Sequence, residues 1–350
     1  MVEAFEKAIA EYVGARYAVA FSSGTAGLHA AAFASNIGKG SEVLMPPMTF
    51  VATANSVVYQ GGTPVFVDVE PGTLLIDTAK LKDKINSKSR AIIAVDYAGQ
   101  PCNYHALRET AKNNNLALIS DACHALGAQY SGHKVGSLAD LTVFSFHPVK
   151  HITTGEGGMV VTDNIEYANR MRRFRNHGIQ STHRQRAETG TWYYEMLDLG
   201  YNYRLTDIQC ALGLSQLKKL SGWIERRREI AKMYAEGFAD ESGVKTLKVN
   251  KDAFHVYHLY VVQLSIERIK ASRSEIFSSL RNAGIGVNVH YIPVHLHPYY
   301  KMNFGTLAGL CPVAENAYER ILSIPIFPAM TNDDVQRVIV SVKKVLEKCS

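Results

Sequence analysis

The chain has 350 residues, enough for one large domain and a smaller one rather than a single small core. Apolar residues make up 47% and charged residues 20%, a globular composition that excludes a disordered chain, and no apolar run reaches the roughly 18–20 residues of a membrane span. The net charge of +6 is mild; it suits an anionic small molecule and gives nucleic acid little support.

The first stretch, "MVEAFEKAIAEYVG", reads as an amphipathic helix with Phe5, Ala8, Ile9 and Tyr12 on one stripe and no signal-peptide core. Apolar runs follow in order: "RYAVAF", "EVLMP", "TPVFVDV", "RAIIAVDY", "LALISDA", "LTVFSF" and "GMVVTD". Helical patterns such as "TAGLHAAAFASNIG", "TFVATANSVVYQGG" and "YHALRETAKNNN" lie between them. Near-continuous apolar strands alternating with helices predict an α/β fold with a mostly parallel sheet covered on both faces. Residues 1–205 are read as this large domain. From Thr206 a long helical pattern runs through "DIQCALGLSQLKKLSGWIERRREIAKMYAEGF" into a smaller α/β domain, so that residues 206–350 form the second unit. That unit holds "VYHLYVVQL", "EIFSSLRNAG", "VNVHYI" and a final helix, "NDDVQRVIVSVKKVLEKC". Five scattered cysteines without metal-ligand spacing are expected to be reduced thiols in a cytoplasmic protein.

Ligands of open α/β sheets bind at the carboxyl ends of strands, and three such ends carry polar groups. The first is "AVAFSSGTAGLHA", where Ser23, Gly24, Thr25 and Ala26 would offer backbone N–H groups and a hydroxyl to a phosphate at a helix N-terminus. Alone, Ser-Gly-Thr serves equally well as an N-cap. The second is "LALISDACHALGA", in which Asp121 closes an apolar strand and would be costly without a partner. A protonated ring nitrogen would serve; so would an N-cap role or an arginine. His124 either lies over a ring or is an ordinary core histidine. The third is "SFHPVKHITTGEGG", with Ser145 and Lys150 in the spacing Ser-x4-Lys and a tight, glycine-rich loop behind them. A surface lysine needs no such setting, whereas a lysine that attacks a carbonyl must be unprotonated, which burial promotes. A phosphate cradle, a carboxylate for a pyridinium and a reactive lysine together suit pyridoxal phosphate. The dinucleotide alternative requires G-x-G-x-x-G after the first strand, which "SSGTAGLH" does not supply.

The segments "SSGTAGLHAA", "PPMTFVATANS", "SDACHALGA", "SFHPVKHITTGEGGMVVTD" and "LGYNYRLTDIQCALGLSQL" resemble, in order, motifs of the DegT/DnrJ/EryC1/StrS sugar aminotransferases. The resemblance spans nearly the whole chain. It implies a fold-type I (aspartate aminotransferase-like) pyridoxal phosphate enzyme that works as a homodimer with shared sites. Within the family, "SFHPVKHITTGEGG", "DYAGQPCN" and "GIGVNVHYIPVHLHPYY" are most similar to the branch of pseudaminic acid synthesis. That branch moves an amino group from L-glutamate to C4 of a UDP-linked 4-keto-6-deoxy-N-acetylhexosamine. The family usually carries a further segment ahead of the first helix, and without that segment part of the substrate wall is expected to be absent too.

By the same resemblance, Lys150 carries the cofactor and shuttles the proton, Asp121 pairs with the ring nitrogen, and His124 sits by the ring hydroxyl. Phe50 stacks on the ring, Thr25, Ala26 and Ser145 hold the phosphate, and Asn202 reaches the phosphate of the other subunit. Without the resemblance, Phe50 reads as a core residue and "GYNYRLTD" as a turn. The arginines of "RMRRFRNHGIQSTHRQR" (Arg170, Arg172, Arg173, Arg175, Arg184 and Arg186) read as a solvated helix face, some of them suited to a sugar-nucleotide pyrophosphate. His290, His295 and His297 could be taken for a zinc site, but their prolines and tyrosines suit a loop over the substrate, and no metal is expected. Family members with histidine in place of the lysine act as dehydratases, which Lys150 argues against; a cofactor-binding sensor without activity is the other class left open.

Overall fold

The computed structural model describes residues 1–181 and 183–349, the side chains of residues 183 and 184 excepted. The amphipathic start forms α1 (Val2–Val13), which buries Phe5, Ile9, Ala10 and Val13 and ends at Gly14 in the left-handed conformation. Then come β1 (Tyr17–Phe21), α2 (Gly24–Ala34), β2 (Glu42–Met45), α3 (Val51–Tyr59), β3 (Thr63–Phe66), β4 (Ser89–Val95), α4 (Tyr104–Asn113) and β5 (Ala117–Asp121). A short hairpin, β6 (Gln129–Tyr130) and β7 (His133–Lys134), precedes β8 (Leu141–Ser145), β9 (Gly158–Thr162), α5 (Ile165–Phe174) and α6 (His183–Glu188).

Seven of these strands join in the order β1-β9-β8-β5-β4-β2-β3. Four pairings are parallel, and β9 alone runs antiparallel to its two neighbours. The chain is therefore α/β with the mostly parallel sheet that the apolar runs predict. Helix α2 is made of small residues and is buried nearly all round. Its Gly27 lets the helix pack closely: a Cβ there would lie 3.0 Å from Val143 and 3.2 Å from Val160, side chains of β8 and β9 that would have to give way. This close approach sets the N-terminus of α2 against the carboxyl ends of β1 and β8.

Beyond residue 206 the long helical pattern is two helices, α7 (Asp207–Leu217) and α8 (Leu220–Gly237). A capping box starts α7, with Thr206 and Gln209 each accepting from the other's backbone. No glycine or proline marks the break at Lys218–Lys219, so periodicity reads straight through it. Helix α7 sets Gly213 against Phe5 of the large core, and α8 spans two cores, burying Leu220 and Ile224 in the large one and Ile230, Ala231 and Tyr234 in a second. The rest comprises β10 (Val244–Thr246), β11 (Ala253–Phe254), β12 (Tyr260–Leu264), α9 (Arg273–Asn282), α10 (Pro298–Phe304), α11 (Pro312–Tyr318), β13 (Ile321–Ile324) and α12 (Asn332–Cys349). Strands β10, β12 and β13 form an antiparallel sheet. Helix α12 packs on the second core through Val335, Val338, Ile339, Val342, Val345 and Leu346, at helical spacing.

Part of this later chain returns to the first core. Tyr300 donates to Asn55 Oδ1 (2.6 Å), and Asp68 accepts the N–H groups of Val313 and Ala314 at the start of α11 (2.9 and 3.0 Å). Arg227 of α8 pins the seam. It is buried, its pKa is pushed down to about 10 by desolvation, and its Nη1 donates to the carbonyls of Tyr257, His258 and Ile326.

Candidate active site

The carboxyl ends of the parallel strands open on a cavity of about 290 Å3. Thr25, Phe50, Asp121, His124, Ser145 and Lys150 all line it, although they come from four separate stretches of sequence. On one side lies the start of α2. Ser23 caps the helix, its Oγ accepting from Ala26 N (3.1 Å) and its carbonyl from Gly27 N (3.1 Å). Gly24 and Thr25, in the first turn, face the cavity. Two glycines keep this cradle narrow. A Cβ on Gly24 would sit 3.0 Å from Ser145 Cβ and 3.3 Å from Cys123 Sγ, and one on Gly158 would sit 2.4 Å from Ser23 O. The glycine-rich stretch behind Lys150 thus supplies, in Gly158, the close approach its composition suggests. A helix N-terminus with the Thr25 and Ser145 hydroxyls beside it suits a phosphate group.

Asp121, at the end of β5, is buried and held by two donors. Thr53 Oγ1 donates to its Oδ2 (2.6 Å) and Cys123 N to its Oδ1 (3.3 Å). Thr49 Oγ1 lies 2.7 Å from Thr53 Oγ1. Lys150 is half-buried, in a turn closed by Lys150 N donating to His147 O (2.9 Å). Desolvation lowers its pKa, and the neighbouring Cys123 and Asp121 partly offset this. The amine is thereby biased towards the unprotonated, nucleophilic form.

His124 is buried, and its pKa falls well below the ordinary value, first through burial and then through the Lys150 charge. Its Nε2 lies 3.1 Å from Tyr291 Oη, and its Nδ1 has no protein partner. A buried, unpartnered ring nitrogen on a cavity wall suits a ligand that brings a polar group. Phe50 is 57% exposed at the mouth, its ring 6.0 Å from that of Tyr291. Tyr291 and His290 line this cavity and also a second one of about 750 Å3, which shares Val149 and Lys150 with the first. Burial, followed by the Lys150 charge, pushes the pKa of His290 down to about 4.

Sequence reasoning missed Thr49, Thr53 and Cys123. Thr49 lies just ahead of α3 and Thr53 in its first turn, so their contact comes from the way the chain enters the helix and not from helical spacing. Of "HYIPVHLHPYY", read as a loop over the substrate, only the first two residues reach the cavity. His295 is fully buried elsewhere, paired with Glu315 (2.8 Å), and Tyr300 is in the core. The described residues hold no group of three or more metal-ligating side chains. Two predicted site residues lie outside the cavity wall. Ala26 is buried, its N–H taken by Ser23, and Asn202 is exposed, bridged through its backbone to Asn176. Four of the arginines are engaged within the chain: Arg170 with Asn36, Arg172 with Asn169, Arg173 with Asp198 and Arg175 with Glu6. Arg186 donates to Ser181 O, and the Arg184 side chain is outside the described residues.

The profile of the DegT/DnrJ/EryC1/StrS aminotransferase family matches residues 1–343. The chain is 41% identical to the spore coat polysaccharide biosynthesis protein SpsC of Bacillus subtilis, over 99% of this chain and 90% of that protein. Among solved structures it is similar to Helicobacter pylori PseC, an aminotransferase of pseudaminic acid biosynthesis, with 34% identity, a TM-score of 0.92, and 99% of this chain and 91% of that one covered. It is also similar to the PLP form of the putative sugar aminotransferase Spr1654 of Streptococcus pneumoniae, with 31% identity, a TM-score of 0.90, and 99% and 91% coverage. The chain belongs to the DegT/DnrJ/EryC1/StrS aminotransferase family: it is a sugar aminotransferase of fold type I that uses pyridoxal phosphate.

Proposed function

We propose that this family member transfers the amino group of L-glutamate to C4 of a UDP-linked 4-keto-6-deoxy-N-acetylhexosamine. The observation that carries the sugar assignment is the likeness to H. pylori PseC across nearly the whole fold. Pyridoxal phosphate supplies the carbonyl that takes up the amine and the ring that draws charge from the carbon losing its proton. Around it the chain's residues divide the work. Lys150 Nζ would hold the cofactor through its carbonyl and, once the donor amine has replaced it there, would move the proton from Cα of the amino donor to the cofactor. Asp121 pairs with the ring nitrogen through a charge-assisted bond of ~1.5–3 kcal/mol. Thr25, Ser145 and the first turn of α2 hold the phosphate. His124, braced by Tyr291, offers its unpartnered Nδ1 to the ring's polar edge, and Phe50 covers the ring face at the mouth.

The reading includes a homodimer. A run of exposed apolar residues (Trp192, Tyr193, Tyr194, Met196, Leu197 and Leu199) leads to Asn202, which is exposed and outside the wall of its own chain's cavity. Such a surface on a folded domain suits a partner, and a second copy would bring Asn202 to the opposite phosphate. The five cysteines are all free, in keeping with a reducing, cytoplasmic compartment.

The likeness to SpsC supports a second reading, a related nucleotide-sugar 3- or 4-aminotransferase of polysaccharide synthesis. A panel of nucleotide-linked keto sugars with glutamate as donor separates the two, scored by the position of the new amine. Preference for the UDP-4-keto-6-deoxy-N-acetylhexosamine is the expected result. Preference for a dTDP-3-keto sugar or a UDP-pentose refutes it.

A further inference from the structure

Beside Asp121 stand two buried hydroxyls to which the roles above give no part, that of Thr53 against the carboxylate and that of Thr49, which also lines the cavity, against Thr53. Thr53 is fully buried and Thr49 nearly so. A threonine inside a helix commonly returns its hydroxyl to a carbonyl one turn back. Thr53 instead reaches from α3 to the end of β5, donating to Asp121 Oδ2 at 2.6 Å. The direction of the row follows from the inventory of protons. An ionised carboxylate only accepts, so the single hydroxyl proton of Thr53 is committed to Asp121. Thr49, 2.7 Å away, must then donate to Thr53. Each hydroxyl polarises the next towards the carboxylate.

The other hold on Asp121 is weaker: Cys123 N reaches Oδ1 at 3.3 Å. The outer torsion of an aspartate is broad, so one long bond does not fix the plane of the carboxylate. The short Thr53 bond does, and it leaves the remaining lone pairs to the cavity that Asp121 lines. We infer that Thr53 is a positioning residue for Asp121, that Thr49 orients Thr53, and that the pair sets the angle at which the carboxylate meets the ring nitrogen of the cofactor. This rests on Asp121 being the partner of that nitrogen.

The test is titration of the cofactor-free protein with pyridoxal phosphate, together with the visible absorption band of the bound cofactor followed against pH. Thr53→Val keeps the volume and removes the hydroxyl. It is expected to weaken cofactor binding by about tenfold or more and to shift the pH dependence of the band. Thr53→Ser, which keeps the hydroxyl, is expected to restore both to within about threefold. In an Asp121→Ala background, Thr53→Val should add no further loss, because the partner it acts through is gone. A Thr53→Val protein with unchanged affinity and band overturns the inference, and so does an equal loss with and without Asp121. Should the valine variant fail to fold, Thr49→Val must show the same shift in smaller measure, and no shift there overturns the inference as well. If Asp121→Ala alone leaves binding and band unchanged, the pairing of Asp121 with the ring nitrogen falls, and this inference with it.

Discussion

The strand-end cavity and the run from Trp192 to Leu212 are opposites in how the chain treats them. At the cavity floor the polar side chains are buried and mostly answered from within: Asp121 by Thr53 and Cys123, and His124 Nε2 by Tyr291. Along the run, Trp192 is 85% exposed, Leu199 74% and Ile208 85%, and Asn202, exposed too, sits among them. Exposed apolar area on this scale is rare on a protein that works alone. The difference teaches that the floor is set by one chain's own packing, while the outer edge is shaped for something else to cover. In our account that cover is a second copy.

The largest expected effect falls on the floor. Lys150→Ala should abolish glutamate-dependent amine transfer while cofactor still binds through its phosphate. Borohydride reduction and peptide mapping check the assignment, and a label on any other lysine contradicts it. The outer edge comes next. Leu199→Glu combined with Ile208→Glu should weaken self-association by at least about a hundredfold, since each loses the burial of one large apolar side chain. Sedimentation over a dilution series reads this, and unchanged association would mean the run is not the interface. Asn202→Ala should weaken cofactor retention by about tenfold without altering the fold.

The smallest effect sharpens the contrast between the floor and what lies beneath it. Asp96, one strand over from Asp121, is fully buried, and desolvation raises its pKa to about 7. It accepts from Cys102 N (2.9 Å) and Tyr104 Oη (2.7 Å). Because its folded pKa lies above the unfolded value, the native state holds an extra proton between about pH 4 and 7. The stability this contributes is fully present below pH 4 and is lost as pH rises to 7. Asp96→Asn, which mimics the neutral acid, should flatten that fall in melting temperature. Two histidines around the cavities act oppositely. His290 and His151 have pKa values pushed down to about 4 and about 3 by burial, so their contribution is present above pH 6.5 and is lost on acidification. A melting curve for Asp96→Asn with the same slope as the parent between pH 4 and 7 would refute the assignment to Asp96.

Much of this was legible in the sequence, for physical reasons. Apolar strands followed by a polar residue, as at Asp121 and Ser145, mark the edge of a parallel sheet where a ligand can sit, and the structure brings those residues to one cavity. The break between α7 and α8 was not legible, because no local breaker stands there, and neither was the change of core within α8, between Ile224 and Ile230, which tertiary packing sets. The return of α10 and α11 to the large core rests on long-range packing of Tyr300, Cys311, Ala314 and Ala317 and on bonds such as those of Asp68 to the start of α11, which no local pattern encodes. Tyr291 beside His124 is of the same kind: 167 residues separate partners that touch.

The most direct test of a floor owned by one chain and an edge completed by another is complementation. Lys150→Ala and Asn202→Ala proteins are mixed, allowed to exchange subunits and assayed at limiting cofactor. In a mixed dimer, the subunit that keeps Lys150 receives an intact Asn202 from its partner, so one native site is rebuilt. The account predicts that activity in the mixture rises well above the sum of the two variants measured apart. Activity equal to that sum, with subunit exchange confirmed, would show that Asn202 serves only its own chain and would contradict the shared site.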